Sequence, residues 1–312
     1  MSKTQFYKDV INGLKGNPKS LQSKYFYDAK GDAIFRQIMK MPEYYLTKCE
    51  LEIIQTYQSD IISHLKNEVP NIVELGPGDG MKSIYLIEEM FQRQPDLQYL
   101  PIDISSNDLL LLQKKLHQQL PELHVHTLAG EYFQMLSKCA FLIKEPKLLL
   151  FLGSSIGNFP KSETLNFLNR LKHFCQKGDF IFIGFDLVKK AEIILSAYND
   201  ETGITKAFNL NLLTRINNEL SGDFVLENFK HEPIYERETG ACKSFLTSTK
   251  KQTVQIGEEV VNFEEKEQIY MEISQKFQIS EIEEFGIEAG LEQVAIYFDE
   301  KKWFANVLWK VR

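Results

Sequence analysis

Cysteine is scarce in this chain, and the four present stand apart: Cys49, Cys139, Cys175 and Cys242 form no C-x-x-C pair. Such spacing offers neither a disulfide framework nor a zinc site, and it fits reduced thiols in a cytoplasmic protein. A basic excess is also lacking. The net charge of −7 argues against a strong nucleic-acid partner, because phosphate binding rests on clustered Lys and Arg. Long apolar runs are missing too: 148–152 and 180–185 are among the longest, far too short to span a bilayer. The start, Met1-Ser2-Lys3-Thr4-Gln5-Phe6, has no apolar signal core, and no internal repeat or low-complexity tract is visible. His124 and His126 would share a strand face, but no carboxylate or cysteine cluster accompanies them, so no metal site is expected. The expectation is a cytoplasmic monomer with a small-molecule partner and no nucleic-acid or membrane partner.

What is present is a sizeable core. At 312 residues with 43% apolar and 25% charged side chains, the chain suits two domains or one domain with a large insertion. From about 70 to 186, apolar strands (71–75, 97–103, 123–128, 147–152, 179–186) alternate with helical periods (81–92, 107–119, 162–176). That alternation implies right-handed βαβ crossovers and a parallel, doubly wound sheet. The end differs: a helix at about 280–289 precedes 291–299 and 302–311, which read as a β-hairpin. The stretch 188–277 is too long for an ordinary connection. It carries helical patterns at 189–199 and 209–220 and alternating segments at 243–249 and 269–275. It reads as an inserted domain joined by the N-terminal 1–50.

The densest signal is Asn71-Ile72-Val73-Glu74-Leu75-Gly76-Pro77-Gly78-Asp79-Gly80. An apolar strand ends in a carboxylate, and glycines follow at every second position before a helix. Glycine there lets the backbone turn sharply and approach a ligand without a Cβ in the way. A dinucleotide fingerprint needs its third glycine at 81, which is Met81. G-x-G-x-G behind an acid instead resembles motif I of the class I S-adenosylmethionine methyltransferases, and the terminal hairpin resembles the antiparallel end of their sheets. Asp103 ends the next strand about 20 residues on, where a carboxylate accepts both ribose hydroxyls; alternatively it caps the following helix, a task open to Ser105 or Ser106. In Ala129-Gly130-Glu131-Tyr132-Phe133, the acid suits an adenine amino group and Tyr132 a ring face, or they are a surface glutamate and a core aromatic. Lys82, at a helix N-terminus, opposes the macrodipole and calls for an anionic partner. The cofactor's methionine carboxylate is one candidate, and simple solvation the other reading.

Further motifs occur in order: Lys24-Tyr25-Phe26-Tyr27-Asp28, Pro42-Glu43-Tyr44-Tyr45-Leu46-Thr47-Lys48, Gly153-Ser154-Ser155-Ile156-Gly157-Asn158-Phe159, Ala197-Tyr198-Asn199-Asp200, Ala207-Phe208-Asn209-Leu210-Asn211 and Glu272-Ile273-Ser274-Gln275-Lys276-Phe277. With the glycine turn, they resemble the histidine Nα-methyltransferase family of ergothioneine biosynthesis, from about residue 18 to the C-terminus. The resemblance implies a class I methyltransferase fold, a Rossmann-like doubly wound α/β sheet with a terminal antiparallel hairpin, plus an α+β substrate domain. The expected division is 51–187 with 277–312 for the S-adenosylmethionine-binding domain, and 1–50 with 188–276 for the substrate domain. The resemblance further implies cofactor contacts from Tyr27, Gly76, Lys82, Asp103, Glu131 and Tyr132. It implies substrate contacts from Tyr44, Asn158, Tyr198, Glu272 and Ser274, with Asn158 and Tyr198 at the amino-acid end and Glu272 and Ser274 at the imidazole. Residues two apart on a strand share a face, so the last two suit one pocket wall.

Three departures from that family's pattern stand out. Glu131 occupies a place where aspartate is expected, and Leu46-Thr47-Lys48 replaces Pro-Thr-Arg. Ser244 falls where histidine-specific members tend to carry a methionine, which makes the pocket wall smaller and more polar. The expected activity is methylation of the α-amine of free L-histidine to its trimethyl betaine, with no side chain assigned as base. The alternatives are the same chemistry on another, aromatic amino acid, or a silent cofactor-binding module. A nicotinamide oxidoreductase is disfavoured by Met81 and the terminal hairpin.

Overall fold

The computed structural model describes residues 3–65, 69 and 71–312. It opens with helix α1 (Lys3–Lys15), short strand β1 (Lys19–Ser20) and helices α2 (Ala29–Ile38) and α3 (Tyr45–Ser63). An alternating run follows: β2 (Asn71–Leu75), α4 (Ser83–Arg93), β3 (Gln98–Asp103), α5 (Ser106–Gln119), β4 (His124–Val125) and β5 (Leu128–Ala129). It continues with α6 (Tyr132–Leu142), β6 (Lys147–Phe151), α7 (Lys161–His173) and β7 (Phe180–Asp186). Then come α8 (Ala191–Tyr198), α9 (Ile204–Leu220), β8 (Phe229–Glu236), β9 (Ala241–Ser248), β10 (Gln252–Ile256), β11 (Glu259–Phe263) and β12 (Gln268–Gln275). The chain closes with α10 (Ile279–Glu288), β13 (Leu291–Phe298) and β14 (Phe304–Val311).

These elements form two compact units, 46–188 with 275–312 and 1–45 with 189–274. The boundaries fall a few residues from those expected. Leu46–Glu50 belong with the sheet because Glu50 bonds to sheet residues, and Gln275 and Lys276 join it as β12 leads into α10. Met1 and Ser2, part of the expected substrate segment, lie outside the described residues.

The first unit, called here the sheet unit, holds strands in the order β13-β14-β7-β6-β2-β3-β4, with β5 also beside β3. Strands β2 to β7 pair in parallel, while β14 runs antiparallel to β7 and β13 antiparallel to β14. Covered on both faces, β2, β6 and β7 are buried at every position, which is why they read as unbroken apolar runs. From β2 the chain steps to β3 and β4 on one side, then returns to β6 on the other. Such a reversal opens a crevice at the carboxyl ends of β2 and β6, where ligands of doubly wound sheets bind. The strand expected at 123–128 is in fact two two-residue pieces at the sheet's edge, and His126 lies outside both. Beyond the buried Leu123 its residues are exposed or half-buried, so little apolar burial holds it straight. The closing hairpin has a longer turn than expected, 299–303. Asp299 fastens it by accepting from the backbone N–H groups of Lys301, Trp303 and Phe304.

The second unit holds a four-stranded sheet in the order β1-β12-β9-β8 and the separate hairpin β10–β11. Helix α9 packs on α2 and against β8. It starts at Ile204, earlier than the expected 209, because Asp200 gathers its first turn. That carboxylate accepts from Ile204 N and Thr205 N at 2.8 Å each and from the hydroxyls of Thr202 and Thr205. Burial works to raise its pKa, but these donors outweigh it and bring it down to about 2.

Candidate functional site

In the sheet unit, the glycine turn leaves β2 with Gly76 at φ +65° and Gly78 at φ +57°. A Cβ on Gly76 would lie 2.8 Å from the Tyr132 hydroxyl, whereas one on Gly78 would meet nothing within 4 Å. The first glycine therefore makes room for a neighbour, and the second leaves its backbone open to a ligand. Asp103 ends β3 beside this turn. Its carboxylate accepts from Ser105 N at 2.9 Å, and from the backbone N–H groups of Ile104 and Gly78. Burial pushes its pKa up to about 6, against the lowering effect of those donors, with Asp108 adding to the rise. The helix-cap alternative for Asp103 falls away: Ser105 caps α5 by accepting from Asp108 N. Glu131 is exposed at the N-cap of α6, and Tyr132 follows. Burial raises the Tyr132 pKa well above its ordinary value, and the charges of Asp103 and Glu131 add to the shift. Gly76, Asp103, Glu131 and Tyr132 thus gather at the carboxyl ends of β2, β3 and β5.

Lys82, the N-cap of α4, does have an anionic partner, but it is a protein carboxylate. Glu50 on α3 is fully buried and accepts from Lys82 Nζ at 2.6 Å, Gly153 N at 2.7 Å and Asn306 Nδ2 at 3.0 Å. Solvation, the other reading for this lysine, is excluded. Glu50 ties the glycine-turn helix to the loop after β6 and to β14. No periodicity signals such a residue, since its partners lie 32, 103 and 256 positions away. Glu74, the acid inside the glycine motif, is also buried. It accepts from the Tyr99 hydroxyl on the neighbouring strand, and burial raises its pKa to about 7. It serves the strand interior, not the open turn. Asn158 ends the short helical turn Ser155–Asn158 after β6 with its side chain exposed. It belongs to the sheet unit, although its expected role is with the substrate.

In the second unit, Glu272 and Ser274 sit two apart on β12, as expected. The Tyr198 hydroxyl donates to Ser274 Oγ at 2.6 Å, and Asn209 Nδ2 donates to Glu272 Oε1 at 3.3 Å. Tyr198 and Ser274, given to opposite ends of the substrate by the resemblance, are therefore bonded directly. Tyr44 is buried, with its ring 6.3 Å from that of Tyr198. Tyr27 belongs to this unit too, packing edge-on against Phe35 and Phe208. Its motif neighbours do structural work: Tyr25 donates to Asp9, and Asp28 caps α2 through Gly31 N while accepting from Asn211. Ser244 is buried on β9, opposite Pro233 of β8.

The sequence model of a family described as histidine-specific, S-adenosylmethionine-dependent methyltransferases matches residues 6–311. The chain belongs to that family. It is 33% identical to the histidine N-alpha-methyltransferase of Mycolicibacterium smegmatis, over 94% of this chain and 90% of the relative. It is 31% identical to ergothioneine biosynthesis protein 1 of Neurospora crassa, over 96% of this chain but 34% of that longer protein. At 26% identity it resembles the 4-dimethylallyltryptophan N-methyltransferase of Claviceps fusiformis, over 72% of this chain and 65% of the relative. The cofactor of this histidine-specific family is S-adenosylmethionine. The sheet unit fits that ligand: an uncovered glycine backbone, a carboxylate at the next strand end and an aromatic side chain meet the needs of a nucleoside. Asn209 and Asn211 were visible in the quoted Ala207–Asn211 motif, yet nothing local to it assigned them a partner.

Proposed function

We propose that this methyltransferase acts on the α-amine of free L-histidine and repeats the transfer up to the trimethyl betaine. The observation that carries the reading is the pair Glu272 and Ser274 on β12, each already held by a hydrogen bond from a helix. A carboxylate in a pocket wall needs a donor, and the imidazole N–H supplies one that aliphatic side chains lack. On this reading Asp103 accepts the ribose hydroxyls, Glu131 takes the adenine amino group and Tyr132 flanks the ring. Gly76, Lys82 and Tyr27 complete the cofactor contacts. Tyr44, Asn158 and Tyr198 hold the amino-acid end, and residues 1–45 with 189–274 serve as the substrate-binding unit. The protein works as a monomer in the cytoplasm, in keeping with its four scattered cysteines.

When bound, the cofactor supplies a methyl group on a sulfonium. The chain's task is to hold the amine nitrogen about 3–3.5 Å from that carbon and in line with its bond, which provides a large share of the acceleration. The amine gives up its proton before transfer, because an ammonium has no lone pair. Aromatic faces such as those of Tyr44 and Tyr198 tolerate the cation that grows with each methyl group. The test is to incubate the protein with isotopically labelled cofactor and a panel of free amino acids, then analyse products by mass spectrometry. Labelled trimethylhistidine is expected. Product from another amino acid, with none from histidine, overturns the substrate while keeping the chemistry.

A second reading follows from Ser244. A small hydroxyl in place of a methionine widens the wall, which favours a larger aromatic amino acid. The same panel separates the two readings.

A further inference from the structure

Asn209 lies inside α9 with no exposed surface. Its side-chain amide donates to the Thr205 carbonyl at 3.2 Å and to Glu272 Oε1 at 3.3 Å. Two acceptors on one side fix the amide's orientation, because turning it over would press Oδ1 against two oxygens. The same orientation leaves Oδ1 buried without a hydrogen-bond partner. A buried acceptor without a donor costs stability, and a leucine, bulkier but of the same branched outline, would avoid that cost while keeping the helix. Packing alone therefore does not account for an asparagine here. Its evident effect is on Glu272. An amide N–H is a donor only, so it fixes one oxygen of the carboxylate as an acceptor.

We propose that Asn209 is a positioning residue for substrate specificity: it holds Glu272 aimed, so that the pocket selects a substrate side chain bearing an N–H. Asn209 acts through Glu272, since its own side chain is fully buried. The inference rests on the reading of Glu272 given above. A neighbour that donates to the carboxylate sharpens discrimination. Substrates that leave a buried acceptor unpaired are rejected far more strongly than substrates that differ in size.

The experiment measures kcat and KM for L-histidine, together with calorimetric affinity for S-adenosylhomocysteine, in N209L, N209D, E272Q and the double variant N209L/E272Q. N209L is expected to raise KM for histidine by about 10-fold, the weight of one hydrogen bond to a charged group. Its kcat and cofactor affinity should stay within about twofold, and its melting temperature should not fall, since the orphaned Oδ1 is gone. N209D, which sets a second carboxylate against Glu272, should raise KM further; it also tests the proposal should N209L fail to fold. Because Asn209 acts through Glu272, N209L should add little on top of E272Q. An unchanged KM in N209L and N209D beside a raised KM in E272Q overturns this inference alone. An unchanged KM in E272Q overturns both it and the reading of Glu272. A full additional loss in the double variant, or a fall in kcat without a change in KM, gives Asn209 a different role and also overturns the inference.

Discussion

The sheet unit and the second unit assemble their functional residues by different means. In the sheet unit the residues stand at strand ends: Gly76 and Gly78 after β2, Asp103 at the end of β3, and Glu131 and Tyr132 after β5. Each is fixed by its place in a βαβ repeat, and the carboxylate of Asp103 is ordered by backbone N–H groups of its own turn and the adjoining one. In the second unit the residues are ordered by side chains far away in sequence. Tyr198 reaches Ser274 across 76 positions, and Asn209 reaches Glu272 across 63. Residues of the first kind are ordered within their own turns, although Glu50 also ties that unit together over long range. An arrangement of the second kind is retuned by single side chains.

The largest expected effect tests whether the sheet unit is held by local geometry alone. Glu50→Ala strands the largely buried Lys82 and removes the acceptor for Gly153 N and Asn306. The loss of stability should be about 3–5 kcal/mol, read from the shift in urea midpoint. Glu50→Gln should lose less, because Asn306 Oδ1 has no partner and a turned amide there can accept the new N–H. If Glu50→Ala is as stable as the parent, the long-range tie is not needed and the sheet unit is more local than described.

Next comes the cofactor half. Asp103→Ala should lose hydrogen bonds worth about 1.5–3 kcal/mol, roughly 10- to 150-fold in S-adenosylhomocysteine affinity by calorimetry. NAD should not bind in either form, and NAD binding would contradict the assignment. The same residue predicts a pH dependence. Its pKa is raised from 3.8 to about 6, so the fold holds this proton more tightly than the unfolded chain. The carboxyl therefore costs stability progressively as pH rises from 3.8 towards 6. On the ribose-binding reading, it accepts both hydroxyls only when ionised. Cofactor affinity should thus fall as pH drops through 6, by no more than about tenfold per unit, and Asp103→Asn should abolish that limb.

The smallest effect sharpens the contrast from the other side. Tyr198→Phe keeps the ring beside Tyr44 but removes the donor to Ser274. KM for histidine should rise roughly 2- to 10-fold, the value of one neutral hydrogen bond, with cofactor affinity unchanged. A fall in cofactor affinity would merge what the comparison keeps apart.

Much of the sheet unit was legible because strand burial and glycine turns leave local marks. The strand expected at 71–75 formed over those residues, and α5 began within one residue of its expected start. The strand expected at 123–128 broke up, because its half-exposed residues gave too little burial to hold an edge strand. In the second unit, β8 and the β10–β11 hairpin went unread. Strands β10 and β11 are short, each with two buried positions, and Gly257 marks a turn only once the flanking strands are known. Glu272 and Ser274 were found through resemblance, while Asn209 and Glu50 were not assigned at all. Their meaning lies in partners that only the folded chain brings within reach.

The most direct test of the division is Glu272→Ala, measured once with each ligand. KM for L-histidine should rise at least about 10-fold, while the calorimetric affinity for S-adenosylhomocysteine stays within about twofold of the parent. Equal losses for both ligands, or an unchanged KM for histidine, would contradict the account.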